Sequence, residues 1–326
     1  MLCQAAAGLN VACHSVLAPK WRRYFSFRNW LDILKLPIGL AQALWWTWRF
    51  MPDVVFSKGG YGAVLPNLAA KLFFIPLVIH ESDAVPGRNN RLFGKLAGKI
   101  FLALEAAKPY FSARKTELVG NPIRSAILAP ADPAAARASF GLDPAKPTIL
   151  ITGASQGAQA LNEVLLLALV ELTKQFQIIH QTGDNNFTAV EQQVKKIEAE
   201  EQASYGPALA AAYKLYPSLD ASQLAAAYAA ADVVVSRAGS SIFEIAAVGR
   251  PAILIPLPSA AGDHQSANAR ALAQYGATVI EQANFTPHIL INEIERAYQN
   301  RQALGEKIKQ FARPEASRII AQYLLA

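Results

Sequence analysis

Short apolar runs alternate with segments of helical character along the whole chain. The apolar runs are DVVFS, IPLVIH, KIFLAL, TILITG, FQIIHQTG, DVVVS and PAILIPL. Helices are predicted between them at 64–74, 88–98, 158–174, 222–231 and 241–248. Buried strands that alternate with helices are typical of parallel sheets covered by helices on both faces. The pattern therefore predicts an α/β fold.

The chain also contains an internal echo. PDVVFSKGGYG at 52–62 matches ADVVVSRAGSS at 231–241 almost position for position, and each is followed by a helix, a proline and another buried strand. A repeat of this kind favours two similar domains over one long sheet. We expect an N-terminal domain at 1–130, a linker at 131–147 and a C-terminal domain at 148–326, whose last helix packs back on the N-terminal domain.

Composition and charge narrow the class of protein. Of 326 residues, 52% are apolar and 17% are charged, which allows a large core, and the net charge of +7 favours an anionic partner. Two cysteines are too few for a disulfide framework or a four-ligand zinc site. The longest apolar stretch, Leu36 to Trp48, is shorter than the roughly 20 residues needed to span a bilayer. We expect no membrane crossing.

Glycine and polar residues follow the predicted strands at their carboxyl ends. These ends read SKGGYG, IHESD, TGASQGAQ, HQTG and SRAGSS. Ligands of open parallel sheets bind at this edge, where glycines allow close backbone approach and helix N-termini offer unpaired N–H groups. Five such loops in order favour a site for a diphosphate.

The last of these loops offers a complete set of groups for a nucleotide. Gly239, Ser240 and Ser241 would present donors to phosphate oxygens, and Glu244 lies on the same helical face as Ser240. A carboxylate there can accept two hydrogen bonds from a ribose diol. The alternative is structural, with Ser240 capping the helix and Glu244 completing a capping pattern. The residues alone leave both interpretations open.

Two further patterns bear on the reaction. GASQG matches the G-x-S-x-G elbow of serine hydrolases, which would make Ser155 a nucleophile with His264 or His288 as base, but that fold needs a single sheet. No D-x-D or metal-binding histidine spacing occurs, so we expect no metal and no cofactor. The charge of a departing diphosphate would then be met by Arg124, Lys58 or helix dipoles.

All five tryptophans lie between residues 21 and 48, among basic residues. A helix is predicted after Pro37, over 37–50, and it is apolar nearly all round. Tryptophan and leucine beside basic side chains favour an interfacial patch on anionic lipid over segment 20–50, and the alternative is an ordinary buried helix.

With these motifs assembled, the sequence resembles the MurG family, the N-acetylglucosaminyltransferases that convert lipid I to lipid II in peptidoglycan synthesis. The stretches that carry the resemblance are RRYFSFRNWLD, PDVVFSKGGYG, IPLVIHESDAVPGRNNR, VGNPIR, ITGASQGAQALN, HQTG, AAAYAAADVVVSRAGSSIFEIAAVGRPAILIPLP and GDHQSANAR. The resemblance implies two Rossmann-like domains facing a cleft, the glycosyltransferase B arrangement. It implies that the C-terminal domain holds UDP-N-acetylglucosamine and that the N-terminal domain meets the undecaprenyl-linked acceptor, lipid I.

The same resemblance implies a reaction and a location. The sugar would pass, with inversion and without metal, to the muramoyl 4-hydroxyl of lipid I. The enzyme would be cytoplasmic and peripheral on the inner face of the bacterial plasma membrane, with no nucleic-acid partner. A general base must take the proton of the acceptor hydroxyl. His80 and Glu81 are the candidates.

Further site residues follow from the family motifs, position by position. Glu244 would hold the ribose, Gln265 would reach the sugar hydroxyls, and Arg124 is the arginine of GNPIR. By this resemblance, Ser155 would bind the UDP-sugar donor. The remaining family positions are Tyr61, Asp83, Asn90, Asn162, Ser240, Ser241, Ile242 and Phe243.

One departure separates the chain from this pattern. The family begins with a strand and a G-G-T-G-G-H loop, and the chain has no such motif. We expect either a start upstream of Met1 or an incomplete N-terminal sheet. Two alternatives to a lipid I transferase therefore stay open: a non-catalytic protein that binds UDP-N-acetylglucosamine, and a lipid-directed transferase with another acceptor.

Overall fold

The computed structural model describes residues 11–18, 27–129, 131–153, 158–201, 206–258 and 263–326, with 27–34 described by their backbone. The chain divides into two compact units. Unit 1 comprises Met1–Ser82, Pro86–Val119 and Ile320–Ala326. Unit 2 comprises Asp83–Val85 and Gly120–Ile319. Residues 131–147 lie within unit 2, and the end of the last helix lies within unit 1.

Unit 1 is built on a four-stranded parallel sheet in the order β1-β2-β3-β4. Its strands are β1 (Val55–Ser57), β2 (Leu77–Glu81), β3 (Lys99–Leu102) and β4 (Thr116–Leu118). Its helices are α1 (Phe27–Phe50), α2 (Val64–Leu72) and α3 (Arg88–Gly94). Short 3₁₀ turns lie at Tyr61–Ala63, Glu105–Tyr110 and Ala113–Lys115. One core cluster fills the space between β2, β3 and α3, and includes Leu77, Ile79, Phe93 and Ile100.

Helix α1 differs from the prediction at its start. It begins at Phe27, ten residues before the expected boundary, and Pro37 lies inside it. Proline removes one backbone hydrogen bond from a helix interior, which is a local loss that packing can offset. Here the turn that follows Pro37 packs on α2: Gly39 and Ala43 are buried, and a Cβ at Gly39 would lie 2.8 Å from the Leu65 side chain.

Unit 2 is built on a six-stranded parallel sheet in the order β10-β9-β8-β5-β6-β7. The strands are β5 (Thr148–Thr152), β6 (Gln177–Gln181), β7 (Tyr213–Tyr216), β8 (Val233–Ser236), β9 (Ala252–Leu254) and β10 (Thr278–Val279). Read from β7 to β10, this is the 3-2-1-4-5-6 order of a doubly wound dinucleotide-binding fold. The order reverses between β5 and β8.

Ten helices accompany this sheet in the part of the chain that the structure describes. They are α4 (Ser125–Leu128), α5 (Pro133–Ser139), α6 (Gln159–Gln175), α7 (Phe187–Glu200), α8 (Gly206–Ala212), α9 (Ala221–Ala230), α10 (Ser241–Val248), α11 (His264–Ala273), α12 (Pro287–Gln299) and α13 (Arg301–Lys309). The final helix, α14 (Ala316–Leu325), runs across the division between the units. One side of the sheet forms a hydrophobic core with α6 and α12, through residues such as Ile151, Leu165 and Ile294.

The predicted α/β class with two parallel sheets is confirmed. The two halves of the internal echo both end a parallel strand and lead into a helical turn, at β1 and at β8. Strand β7 was not predicted, because only its first residue is buried and it leaves no continuous apolar run. Strand β4 escaped prediction for a related reason, since its TEL sequence has only partial burial.

Candidate functional site

The carboxyl ends of β5 and β8 lie side by side at the point where the strand order of unit 2 reverses. Thr152 pairs with Ser236 as the last residues of the two strands. In doubly wound sheets this position is where ligands bind. The loop after β5 contains Ser155, which lies outside the described residues. The loop after β8 is described throughout.

Serine hydroxyls and a buried arginine shape the loop after β8. The Ser241 hydroxyl lies 3.1 Å from the Ser236 hydroxyl and donates to the Arg237 carbonyl at 3.1 Å. The Arg237 guanidinium, which is 7% exposed, donates to the Ile255 carbonyl at 2.9 Å. It thereby ties the end of β8 to the residue that follows β9. Sequence reasoning gave Arg237 no role, although a buried cation between two strand ends marks a loop that must keep its shape.

Ser240, Ile242 and Phe243 take different positions in this loop. Ser240 is exposed at the start of α10, and its hydroxyl makes no capping hydrogen bond to the described helix. The capping alternative for Ser240 and Glu244 therefore lacks its defining bond. Ile242 is fully buried and Phe243 is 5% exposed, with its ring stacked on Phe311. These two side chains belong to the core and support the loop.

Glu244 is held from two sides in the first turn of α10. Arg124 donates from Nη1 to Glu244 Oε1 at 2.8 Å, and the Tyr228 hydroxyl donates to Oε2 at 3.4 Å. The Glu244 side chain is 14% exposed and that of Arg124 is 52% exposed. Burial raises the pKa of Glu244, while Arg124 and the Tyr228 hydroxyl lower it. The sequence motifs predicted Arg124 and Glu244 as residues of one site, but they did not predict Tyr228.

Asn162 lies in the first turn of α6, where it is 2% exposed. Its Nδ2 donates to the Thr182 carbonyl at 3.3 Å, and its Oδ1 lies 3.0 Å from Nε2 of His180. His180 therefore donates from Nε2, and its Nδ1 accepts from the Tyr213 hydroxyl at 2.6 Å. Burial lowers the pKa of His180 to about 3, which keeps it neutral. Both ends of the Asn162 amide are used inside unit 2, and its role there is to fix α6 on β6.

Asp83 belongs to unit 2, where a buried asparagine holds it. Asn268, fully buried on α11, donates from Nδ2 to Asp83 Oδ1 at 2.9 Å and to the Ala238 carbonyl at 3.2 Å. Its Oδ1 accepts from the Ala84 N–H at 2.8 Å. The end of the HESD motif is thus fixed to the loop that follows β8. Sequence reasoning missed Asn268, and its position in the DHQSAN stretch was the available signal.

Gln265 lies one residue into α11, on the same stretch as Asn268. Its Oε1 accepts from the Leu257 N–H at 2.9 Å, which fixes the segment after β9. The Gln265 side chain keeps partial exposure and its amide nitrogen is not used by that bond. This arrangement leaves a donor for a ligand oxygen.

The candidate bases lie at the end of β2 in unit 1. His80 is fully buried and Glu81 is 3% exposed. Glu81 Oε2 accepts from Asn90 Nδ2 at 2.8 Å and from the Gly87 N–H at 3.3 Å, and Asn90 Nδ2 also donates to the His80 carbonyl at 3.3 Å. Glu81 and Asn90 thus hold the turn that follows β2.

The loop after β1 packs on the same asparagine. Gly59 and Gly60 have φ angles of 82° and 79°, in the left-handed region that favours glycine. A Cβ at Gly59 would lie 2.5 Å from the Asn90 Oδ1. Tyr61 follows, with 59% of its surface exposed. Close packing of SKGGYG on Asn90 therefore places an exposed tyrosine at the carboxyl edge of the unit 1 sheet.

Two kinds of feature are absent from the described part of the chain. No three histidine, cysteine, aspartate or glutamate side chains there lie close enough together to hold a metal ion. None of the helices described is long and apolar enough to span a bilayer.

Comparison with known domains defines the class. Residues 148–323 match the glycosyltransferase family 28 C-terminal domain, and residues 5–102 match the N-terminal domain of the same family. The first match covers the whole unit 2 sheet, including the loop after β8. The chain belongs to glycosyltransferase family 28.

Individual relatives narrow the family further. The chain is 35% identical over 92% of its length, and 79% of the relative's, to the UDP-N-acetylglucosamine–N-acetylmuramyl-(pentapeptide) pyrophosphoryl-undecaprenol N-acetylglucosamine transferase of Legionella pneumophila. It is 37% identical over 89% of its length, and 76% of the relative's, to the Halothermothrix orenii protein of that name. The crystal structure of Acinetobacter baumannii MurG superposes over 100% of this chain and 88% of its own, with a TM-score of 0.71 at 29% identity. The chain belongs to the MurG family.

Proposed function

We propose that this protein transfers N-acetylglucosamine from UDP-N-acetylglucosamine to the 4-hydroxyl of the muramoyl sugar in lipid I, which yields lipid II. The observation that carries the proposal is the pairing of Glu244 with Arg124 beside the loop after β8, in a chain of the MurG family. A buried carboxylate next to a serine-rich turn suits a ribose and a diphosphate at once. The relatives' names supply the acceptor, a pyrophosphoryl-undecaprenol-linked muramyl peptide.

The donor is held by unit 2. Glu244 accepts hydrogen bonds from the ribose hydroxyls, and the exposed Ser240 hydroxyl binds a phosphate oxygen together with N–H groups at the start of α10. Gln265 donates to a hydroxyl of the sugar. Because the carbonyl of Ala238 and the side chains of Ser236 and Ser241 are already bonded within the protein, the loop meets the nucleotide in a fixed shape.

The chemical step moves one bond and one proton. The acceptor oxygen attacks the anomeric carbon, the bond to the diphosphate breaks, and a base takes the hydroxyl proton. Arg124 is half exposed, so its guanidinium can reach the departing diphosphate, and the positive end of α10 adds to that stabilisation. His80 and Glu81 remain the candidate bases. Their burial means that the acceptor must approach the end of β2 closely for either to serve.

The lipid acceptor implies work at a membrane surface, and α1 carries a suitable face. Ile38, Ala41, Trp45 and Trp48 recur at helical spacing and are exposed, opposite the buried Gly39 and Ala43 that pack on α2. Trp45 and Trp48 are 56% and 53% exposed, with ring centroids 5.3 Å apart. Leu72 and Phe74 at the end of α2 add exposed apolar surface at 55% and 91%.

Basic side chains complete this face. Lys35, Arg49 and Lys71 lie on α1 and α2, and Arg22, Arg23 and the Arg28 side chain lie outside the described residues. Apolar rings beside cations are typical of a patch that binds anionic lipid, since tryptophan partitions to the interface and cations are drawn to the surface potential. We propose that this face, α1 with the end of α2, rests on the cytoplasmic leaflet.

The decisive experiment supplies both substrates to purified protein. Radiolabelled UDP-N-acetylglucosamine and a lipid I analogue in detergent should give a lipid-linked disaccharide with a β linkage, with and without EDTA. Glu244→Ala should abolish product formation while the far-UV circular dichroism stays unchanged. Donor binding without turnover on any acceptor would leave a UDP-sugar-binding protein and contradict the proposal. Product formed only on a different lipid-linked acceptor would assign the chain to another lipid-directed transferase.

The hydrolase alternative predicts a covalent adduct of Ser155 with a fluorophosphonate probe. That alternative needs one sheet, and the structure has two separate parallel sheets. We expect no labelling.

A further inference from the structure

Tyr228 is the second group that contacts the Glu244 carboxylate, and none of the motifs gives it a role. It lies on α9 and is 1% exposed. Its hydroxyl donates to Glu244 Oε2 at 3.4 Å. A buried phenol needs a partner inside the protein, and here that partner is the acid proposed to hold the ribose.

We propose that Tyr228 is a positioning residue for the nucleotide sugar, whose hydroxyl fixes the Glu244 carboxylate so that each oxygen keeps one acceptor position for a ribose hydroxyl. The proposal rests on the donor site described under the proposed function. An ionised carboxylate has about four acceptor positions. Arg124 uses one on Oε1 and Tyr228 uses one on Oε2. Two positions remain, one on each oxygen, which is the number that a diol needs.

The backbone of α9 is anchored, so that Tyr228 does not move with the ligand. Arg250 donates to the Tyr228 carbonyl at 3.3 Å and to the Ala229 carbonyl at 2.8 Å, and Arg137 donates to the Ala230 carbonyl at 3.0 Å. These are carbonyls that a helix end leaves without intrahelical partners. At the other end, Asp220 forms a capping box with Gln223. The tyrosine is thus presented by a helix fixed at both termini.

The same contact bears on the charge of Glu244. Burial raises its pKa, and Arg124 and the Tyr228 hydroxyl oppose that rise. Four elements pack on α10: α4, α9, α11 and α13. Arg124 precedes α4 and Tyr228 is on α9. The titratable groups of the other two helices are His264 and Arg270 on α11, and Arg301, Glu306, Lys307 and Lys309 on α13. Arg124 is half exposed and subject to salt screening, whereas the Tyr228 hydroxyl acts in a buried setting.

The test is Tyr228→Phe, which removes the hydroxyl and keeps the ring. We expect the KM for UDP-N-acetylglucosamine to rise about three- to tenfold, as loss of one hydrogen bond to a carboxylate implies, with kcat at saturating donor within about twofold. In the pH profile of kcat/KM, the acid limb should move to higher pH, because Glu244 protonates more readily without the hydrogen bond from the Tyr228 hydroxyl. This shift should persist at high salt.

Tyr213→Phe is the matched control. Tyr213 is also buried and also donates its hydroxyl, but to His180 on β6. A structural effect common to buried tyrosines would appear in both variants, whereas the shift of the acid limb should appear in Tyr228→Phe alone. If Tyr228→Phe is folded and its donor KM and acid limb equal those of the wild type, the proposal is overturned.

A second substitution covers the case in which Tyr228→Phe does not fold. Replacing Tyr228 by 3-fluorotyrosine keeps the shape and strengthens the hydroxyl as a donor, and the acid limb should move to lower pH. An unmoved limb contradicts the proposal. A wrong assignment of the donor site would give a different result. The Glu244→Ala variant would then bind UDP-N-acetylglucosamine as tightly as the wild type, independently of the results for the Tyr228 variants.

Discussion

Asn268 donates to Asp83 Oδ1 at 2.9 Å and to the Ala238 carbonyl at 3.2 Å, from a side chain with no exposed surface. One amide thereby joins the end of the HESD motif to the loop that follows β8. Its Oδ1 is occupied as well, by the Ala84 N–H at 2.8 Å. Both ends of the Asn268 amide therefore have partners inside unit 2.

Asn268→Ala should therefore be strongly destabilising. It leaves the Ala84 N–H, the Ala238 carbonyl and one Asp83 oxygen without this partner, at a cost of about 2–4 kcal/mol. The melting temperature should fall by about 5–15 °C. Donor affinity should fall too, because Ala238 lies in the loop after β8 that is proposed to hold the nucleotide. Differential scanning calorimetry and isothermal titration with UDP-N-acetylglucosamine measure the two effects.

Asp83→Asn is the control for that variant. An asparagine at 83 still offers an acceptor oxygen to Asn268, and only the charge assistance is lost, worth about 1 kcal/mol. A melting temperature as low as that of Asn268→Ala would mean that the charge of Asp83, and not the Asn268 amide, holds the junction.

Arg124→Ala should weaken donor binding in a manner that depends on pH and salt. Removing Arg124 takes away a group that lowers the pKa of Glu244, so the carboxylate protonates at higher pH and donor binding fails earlier as pH falls. We expect a ten- to hundredfold loss of affinity at neutral pH, roughly the worth of a charged hydrogen bond. The loss should shrink in high salt, because the wild-type contact is half exposed.

Arg318→Ala removes another exposed arginine, which lies on α14 and pairs with Glu315 just before that helix. It should leave donor affinity unchanged. Equal losses in the two variants would indicate a general effect of net charge.

Glu244→Gln should separate stability from binding. The pKa of Glu244 is raised in the fold, so charging it costs more in the folded than in the unfolded chain. Its raised pKa therefore favours the fold at low pH, and this contribution is lost as pH rises through the pKa. At pH 7–8 the glutamine variant should melt at or slightly above the wild-type temperature, while its affinity for UDP-N-acetylglucosamine falls at least tenfold. A clearly lower melting temperature across that range contradicts the sign of the shift.

Much of the fold followed from the order of apolar runs. Strand β8 and helix α10 lie where the DVVVS run and the 241–248 pattern predicted them, because a fully buried strand and a helix with one polar face leave strong periodic signals. Strand β7 left none, since three of its four residues are only partly buried. The start of α1 was misplaced because Pro37 is a stop signal locally, whereas packing on α2 overrides it.

The sequence predicts the residues proposed to contact the ligand, and it does not predict the residues that support them. The glycine and serine loop and Glu244 stand out by residue type. Tyr228, Asn268 and Arg237 do not, because each acts through a partner that is distant in sequence: Glu244, Asp83 and Ile255. A tyrosine in an alanine-rich helix is most simply interpreted as core. Only the three-dimensional arrangement distinguishes a core ring from one whose hydroxyl holds an acid.

Asn90→Ala should destabilise unit 1 where a neighbouring change does not. Asn90 Nδ2 donates to Glu81 Oε2 at 2.8 Å, and Glu81 is 3% exposed. Loss of the Asn90 amide removes one donor from a buried carboxylate, which should cost about 1–3 kcal/mol of folding free energy. Chemical denaturation followed by tryptophan fluorescence reports on unit 1, which holds all five tryptophans.

Asn89→Ala provides the comparison. The Asn89 amide atoms are buried and have no hydrogen-bond partner among the described residues. Its removal should be neutral or stabilising. The opposite order of effects would mean that the hydrogen bonds of Asn90 do not stabilise the turn after β2.

Two tryptophans of α1 should act at the membrane and a third in the fold. Trp45→Ser with Trp48→Ser should reduce binding to vesicles containing phosphatidylglycerol at least tenfold without lowering the melting temperature, because both rings are more than half exposed. Trp46 is partly buried and stacks on His14 with ring centroids 3.6 Å apart, so Trp46→Ser should lower stability instead.

Leu167→Ser tests whether any exposed apolar residue matters. Leu167 is 77% exposed on α6 in unit 2, and its loss should leave vesicle binding intact. If the Trp45 and Trp48 double variant unfolds, α1 is an ordinary core helix and the membrane face is wrong.

Arg137 and Arg250 hold the last turn of α9 beside Asp232, at the amino edge of the sheet, one strand length away from the nucleotide loop. Substitution of either arginine should loosen the end of the helix that presents Tyr228, and so raise the concentration of sugar nucleotide that the enzyme needs. A compound that bound beside these two arginines could therefore act on the proposed donor site from the opposite edge of the sheet.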